Sequence, residues 1–345
     1  MQVPVNTPDL TGNEKKYLLE CIDTGWISSE GPFIHKFELG MASAVGRQFG
    51  IAVSNGTAAL EIAIKALKLG PDDEVIMPTF SIISCSGAIY KAGAKPVLVD
   101  CDLDTWNISI DKIEEKITKK TKAIMVVHTY GLPVNMDPII ELAEKYNLKI
   151  IEDAAEMHGQ TYKDRPCGSF GDISIFSFYP NKHITTGEGG MLVCDSSELA
   201  ESCRQLRNLC FIPPRRFVHQ ELGWNYRMTN LQAALGLAQL ERLTSFVDKK
   251  RRMGERYLTK LSSLEKHVYL PKRETSYARN IYWVFGLVIK PEAPFDVELV
   301  MAELGRRGVG TRPFFWCTHE QPVFKREGLF AGENHPNSEL IARRG

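Results

Sequence analysis

The 345-residue chain has no excess of either charge: 42 Lys and Arg balance 42 Asp and Glu, for a formal net charge of +0. That balance removes the general electrostatic argument for binding nucleic acid or an anionic membrane surface. Long hydrophobic runs are missing as well. The longest, such as Ala123–Val127, are strand-sized and far below the roughly 20 residues of a membrane-spanning helix. Met1-Gln2-Val3-Pro4-Val5-Asn6 shows no basic segment followed by an apolar stretch, so no signal peptide is visible and a cytoplasmic location is expected. The eight cysteines (Cys21, Cys85, Cys101, Cys167, Cys194, Cys203, Cys210 and Cys317) stand singly without a CxxC pair. They read as reduced thiols, and neither a disulfide frame nor a metal site is expected. Internal repeats, low-complexity segments, a P-loop and a dinucleotide fingerprint are likewise lacking.

What is present is an ordinary globular composition, 43% hydrophobic and 24% charged, in a chain long enough for two domains. Thr11 and Glu14 have the spacing of a capping box ahead of a first helix that Gly25 can end. From about residue 50 to 195, short apolar runs alternate with amphipathic ones. Strands are expected at Ile51–Val53, Glu74–Met77, Pro96–Val99, Ala123–Val127, Lys149–Glu152, Ile173–Phe178 and Met191–Cys194. Helices are expected at Ala58–Leu67, Ile83–Ala92, Ile110–Ile117 and Pro138–Tyr146. This alternation predicts an α/β fold with a mostly parallel sheet covered on both faces. Thr229–Ser262 then reads as one long helix, followed by a strand at Trp283–Ile289, a helix at Val297–Leu304 and a strand near Gly308–Phe315. The domain boundary is expected near residue 245.

Three loci carry candidate chemistry, and each has a plain alternative. Ser54-Asn-Gly56-Thr57-Ala-Ala59 follows a strand and opens a helix, where free amides and the helix dipole suit an anion; equally, Asn and Thr are ordinary caps. Glu152-Asp153-Ala-Ala155 puts an acidic pair at the carboxyl end of a strand, where ligands of open α/β sheets sit. A carboxylate there suits the protonated ring nitrogen of a bound cofactor, although Asp153 could simply cap a helix. Lys182, ahead of the glycine-rich Thr185-Thr-Gly-Glu-Gly-Gly190, could be a desolvated amine of lowered pKa able to form a Schiff base, or a loop lysine in water.

The order of these loci, with the string Glu152-Asp-Ala-Ala-Glu-Met-His158-Gly159, then Gly171-Asp172, Phe176-Ser177-Phe178, Lys182 and Thr185–Gly190, resembles the sugar-nucleotide aminotransferases of the fold-type-I pyridoxal phosphate (PLP) enzymes, the DegT/StrS-like group. Trp26-Ile-Ser28-Ser29, Val127-His128-Thr-Tyr130-Gly131 and Asn225-Tyr-Arg227-Met-Thr-Asn230 extend the likeness over about residues 8 to 322. The resemblance implies a large PLP-binding domain over residues 1–245, with a seven-stranded sheet and an N-terminal arm at 1–10. A smaller α+β domain over 246–345 would complete it. Relatives continue beyond the position of Arg343-Arg344-Gly345 with a further strand and helix, so that domain is expected to be truncated.

By the same resemblance, Lys182 is the Schiff-base lysine and proton shuttle, and Asp153 holds the pyridine nitrogen protonated. Gly56, Thr57 and Ser177 bind the phosphate, and Asn225 reaches the phosphate of a partner subunit, making a homodimer with shared active sites. Ile82 stands where the family usually stacks an aromatic ring on the cofactor. Glu156 stands where many relatives have Gln or His. That glutamate, with the Trp26 and Asn225 segments, most resembles the GDP-perosamine synthases. The implied reaction passes an amino group from glutamate, through the pyridoxamine 5'-phosphate form, to a nucleotide-linked 4-keto-6-deoxy sugar of surface-glycan (O-antigen, lipopolysaccharide) biosynthesis. Trp26, Ser28, Arg227, Arg312 and His319 are the candidate substrate contacts, Arg312 alternatively forming a surface ion pair. His183 and His158 read as structural imidazoles, and Pro213-Pro-Arg-Arg216 as a basic loop. Alternatives are a UDP- or dTDP-linked keto sugar, amination at C3, a PLP dehydratase or aldolase, and a non-catalytic PLP-fold regulator.

Overall fold

The computed structural model describes residues 2–212 and 214–345, so Met1 of the arm and Pro213 of the expected basic loop lie outside the described residues. Seven strands form one sheet: β1 (Phe49–Val53), β2 (Glu74–Pro78), β3 (Lys95–Val99), β4 (Thr121–Val127), β5 (Lys149–Asp153), β6 (Ile173–Ser177) and β7 (Gly190–Cys194), in the spatial order β1-β7-β6-β5-β4-β2-β3. β7 alone runs antiparallel, to both β1 and β6, and the remaining pairs are parallel. All seven strand expectations hold to within two residues, because each strand is an apolar run buried on both faces, as parallel sheets require.

Helices α1 (Glu14–Thr24), α2 (Pro32–Ala44), α5 (Met136–Tyr146) and α7 (Asn230–Leu240) cover one face, where Phe37, Met41, Phe176 and Phe178 form the core. Helices α3 (Gly56–Ala66), α4 (Ile83–Lys91) and α6 (Ser197–Arg207) cover the other, over Ile51, Ile151, Ile173 and Leu192. A third, aromatic core of Phe80, Trp106, Tyr130 and Trp283, with Phe314 and Phe315 against it, joins the C-terminal segment to one end of the sheet. That segment contains α8 (Leu243–Leu261), the two-stranded pair Val268–Tyr269 with Val288–Ile289, α9 (Val297–Arg306), the short α10 (Pro322–Arg326) and α11 (Pro336–Arg344). Among the described residues no helix is long and apolar enough to cross a membrane.

Several expected elements differ. The helix expected at Ile110–Ile117 is two 3-10 turns, in keeping with the three-residue spacing of Ile110 and Ile113. The Thr11–Glu14 capping box does not form. Thr11 Oγ1 instead donates to Asp9, and Glu14, already the first residue of α1, accepts from Gly12 N at 2.7 Å and Gln239 Nε2 at 2.6 Å. The capping box of this protein is at α7, between Thr229 and Gln232. The long helix breaks into α7 and α8 around Glu241 and Arg242. Of Trp283–Ile289, only Val288 and Ile289 enter a ladder, pairing with Tyr269 and Val268. Of Gly308–Phe315, only Val309 pairs, through an isolated bridge to Val3 of the N-terminal arm.

Helix α11 has no cap from its own flank. Asp100, just after β3, accepts from the backbone N–H (2.9 Å) and hydroxyl (2.7 Å) of Ser338 and from Cys101 N (2.9 Å). This buried carboxylate thereby satisfies first-turn amides and complements the helix dipole. Replacing it (Asp100→Ala) is expected to lower stability by about 2–3 kcal/mol, from the lost cap and the unpaired buried donors. Urea denaturation should report this as a lower midpoint at unchanged slope.

Candidate active site

Parallel alignment brings the carboxyl ends of β1, β4, β5 and β6 to one edge of the sheet, and the antiparallel β7 starts there. At the tip of β5, Asp153 is 3% exposed and opens a turn, not a helix. Its Oδ1 accepts from Ala155 N (3.0 Å), and the Cys85 thiol of α4 donates to Oδ2 (3.2 Å). Burial pushes the Asp153 carboxyl up; the Ala155 amide, Cys85 and the nearby Lys182 pull it back. Its neighbour Glu152 points to the opposite face of the sheet and accepts from Gly168 N, Phe170 N, Ser174 Oγ and His128 Nε2. Glu152, His128 and Cys167 approach one another as metal ligands would. The carboxylate is already saturated with donors, and the other nitrogen of His128 accepts from Val134 N, so the group is a hydrogen-bonded core knot.

Lys182 lies in the loop joining β6 to β7, which Phe178 ties off: its N–H donates to Gly189 O, and its carbonyl accepts from Thr186 N and Thr185 Oγ1. The loop turns the lysine inward, leaving its side chain 10% exposed. Nζ lies 3.6 Å from Glu156 Oε1 and 3.8 Å from the centroid of the Trp283 ring. Burial lowers the pKa of this amine, against the opposing pull of Glu156 and Asp153. Burial also lifts the Glu156 carboxyl to about 7, although the Lys182 charge draws it down. Tyr130, in the left-handed region at φ 56°, aims its N–H at Glu156 Oε2 (2.7 Å).

The loop after β1 turns directly into the start of α3. Asn55 caps α3 by accepting from Ala58 N at 2.8 Å, leaving the first-turn amides of Gly56 and Thr57 without intrahelical acceptors. The plain reading of Asn55 as a cap is what the structure shows, and the cap leaves these two amides open. A Cβ on Gly56 would come within 2.9 Å of the Ser177 Cβ, so glycine is what lets the tip of β6 lie against the helix start. The half-buried Thr57 hydroxyl contacts Ser84 Oγ at 2.8 Å. These residues fit PLP by their donor set: a buried carboxylate lacking a full positive partner, a buried amine, and amides with hydroxyls where a phosphate would sit.

The expected substrate contacts are more dispersed. Trp26 is 48% exposed, and Ser28 is exposed beside it; both backbone carbonyls are pinned by the buried Asn230. Ile82 is 40% exposed at the start of α4. Phe80 faces the aromatic core and so cannot replace the missing stacking ring. Asn225 is exposed, and Arg227 donates to Asn208 Oδ1 at 2.7 Å. Arg312 is exposed and donates to Thr311 O; no ion pair of it is found among the described residues. His319 is corrected: it is buried, with Thr79 Oγ1 on Nδ1 (2.8 Å) and Glu339 Oε1 on Nε2 (3.2 Å), leaving no nitrogen for a substrate. His183 and His158 are buried and held neutral by desolvation. Among the described residues neither nitrogen of His158 has a hydrogen-bond partner, and His183 has only a 3.3 Å contact from Nε2 to Ile281 O.

Two residues beside the chemistry escaped the sequence reading. Cys85 lies in the expected helix α4, and its spacing from Ile89 marks it as core. Trp283 is a hundred residues downstream of Lys182, and only the fold brings its ring there.

Known proteins similar to this chain identify its family. The chain is 42% identical over 343 residues to a GDP-perosamine synthase of Escherichia coli O157:H7, covering 99% of this chain and 92% of that one. It is 43% identical over 323 residues to a GDP-perosamine synthase of Caulobacter vibrioides, covering 94% and 87%. An aminotransferase structure from Psychrobacter cryohalolentis superposes with a TM-score of 0.91 at 29% identity, covering 98% and 91%. With residues 8–345 matching its sequence pattern, the chain belongs to the DegT/DnrJ/EryC1/StrS aminotransferase family.

Proposed function

We propose that this protein is a PLP-dependent aminotransferase that moves an amino group from glutamate to GDP-4-keto-6-deoxymannose, giving GDP-perosamine. The observation that carries the reaction class is the convergence of buried Asp153, buried Lys182 and the open amides of α3 at one sheet edge. The substrate rests on near full-length similarity to three relatives named GDP-perosamine synthase, at 38–43% identity, and on Glu156 in place of the family's usual Gln or His.

When bound, the cofactor supplies a ring that accepts electrons and carries the amino group between donor and acceptor. Asp153 keeps its ring nitrogen protonated: a positive partner supplies the charge that this buried carboxylate needs to stay ionised. The amides of Gly56 and Thr57, with the Thr57 and Ser177 hydroxyls, hold the phosphate, favoured by the positive end of α3. Lys182 anchors the cofactor and, once released, moves a proton at Nζ; burial lowers its pKa toward the working range of a general acid–base. Glu156 lies 3.6 Å from Lys182 Nζ, where its charge favours the protonated amine and the lysine charge in turn draws the carboxyl down. Ile82 supplies apolar contact without stacking. The exposed Asn225 serves the phosphate of a partner subunit, so the working unit is a homodimer. Trp26, Ser28, Arg227 and Arg312 bind the sugar nucleotide, the guanidiniums suiting its diphosphate.

Three outcomes test this. In a single turnover, the pyridoxamine-phosphate-loaded protein and GDP-4-keto-6-deoxymannose should yield an aminated sugar and regenerate the lysine-bound absorbance; reaction only with UDP- or dTDP-linked keto sugars would replace the substrate. Lys182→Ala should abolish that absorbance and cut turnover by at least about 10²–10⁴-fold. Glu156 makes the third case. Its folded pKa, about 7, lies above the usual carboxylate value, so the folded state holds the extra proton. The stability it contributes is therefore present at low pH and lost as pH rises through 7. Against Glu156→Gln, cofactor-free wild type should lose on the order of a few kcal/mol between pH 4.5 and 8 in urea denaturation.

A further inference from the structure

We propose that Trp283 is a positioning residue of the active site: its indole face receives the Lys182 ammonium whenever that amine is not joined to the cofactor, and holds it beside Glu156. The inference rests on Lys182 being the cofactor-binding amine.

The geometry is that of a desolvated cation–π contact. Nζ is 3.8 Å from the ring centroid, well inside the roughly 6 Å at which the ring quadrupole attracts a cation. The ring cannot easily leave this place. It is 5% exposed, and its indole N–H donates to Asn181 O (2.8 Å), the carbonyl immediately before Lys182. Its own carbonyl accepts from Lys250 Nζ at 3.0 Å. Behind it, a Cβ on Gly131 would come within 2.7 Å of Trp283 N, so the Tyr130–Gly131 turn packs directly on this backbone. That turn also carries the amide that aims Glu156. One contiguous unit therefore sets both neighbours of the amine.

A second contact is needed because the carboxylate alone is an unreliable partner. Among the described residues, the charged and titratable groups around Nζ are Glu156, Asp153 and the Cys85 thiol, with His158 and His183 beyond, both held uncharged by burial, and Lys250 on the Trp283 carbonyl, its pKa lowered by burial to about 8. Asp153 would face the ring nitrogen once the cofactor is bound and otherwise adds its charge to that of Glu156, Cys85 is held as the thiol by burial, and Glu156 titrates near neutrality. The quadrupole of Trp283 does not titrate, so it favours the protonated amine at every working pH and opposes the desolvation that favours the neutral one.

The test follows recombination of the cofactor-free full chain with pyridoxal phosphate across a pH series. Only the unprotonated amine attacks the aldehyde, forming the carbon–nitrogen bond with loss of water, so the pH midpoint of the rate reports Lys182. Removing the ring face should make the ammonium easier to deprotonate. Trp283→Leu is expected to move the midpoint down by about 0.5–1.5 pH units, and Trp283→Phe, which keeps a smaller face and most of the volume, by less. An unchanged or raised midpoint in the Phe variant, with its melting transition intact, overturns the proposal. Lys182→Ala serves as the control for the underlying reading: if it still acquires the lysine-bound absorbance, the assignment of the amine fails, independently of Trp283.

Discussion

A lysine amine removed from water is the constraint on which the rest of this active site depends. An isolated buried ammonium is strongly disfavoured, so the surroundings must either neutralise it or supply charge. Here both occur. Burial lowers the amine's pKa, while Glu156 and the Trp283 face keep the protonated form accessible. An amine balanced in this way can hold a proton at one moment and give it up at the next, which is what a shuttle requires.

The sheet supplies the placement. Strands running the same way end along one edge, so residues distant in sequence, from Ser54 to Ser177, arrive together without any long loop. The inserted antiparallel β7 turns the connection from β6 into a hairpin whose loop folds Lys182 back over that edge. Glu152 and Asp153 show how strand alternation divides labour: one carboxylate is saturated within the core knot, and its neighbour faces the reacting side with Cys85 and the Ala155 amide as its hydrogen-bond donors. The C-terminal segment adds the remaining wall through the aromatic core, anchored at its far end by Asp100 on α11.

Chemistry that depends on local spacing was legible in the sequence. Asp153 after an apolar strand, Lys182 before a glycine-rich loop and the Asn55 cap each announce themselves within a few residues. The misreadings fall where partners are remote. The Thr11–Glu14 spacing looked like a capping box, but Gln239 and Gly12 claim the glutamate. His319 looked available, but Thr79 and Glu339 occupy both its nitrogens. Gly308–Phe315 looked like a strand, but its one pairing partner is Val3 of the N-terminal arm.

The sequence by itself determined the seven strands, the mostly parallel sheet they imply, the presence of a strand-end aspartate ahead of a loop lysine, and through these the family. Hydrophobic periodicity and turn chemistry act over a few residues, so they survive without a fold. The tertiary structure alone decided which groups share the amine. The distance from Lys182 to Glu156 and to Trp283, the saturation of Glu152 and the occupation of His319 all depend on long-range packing. Burial and charge proximity are properties of that packing, and they, not residue identity, set which of these side chains can hold or release a proton.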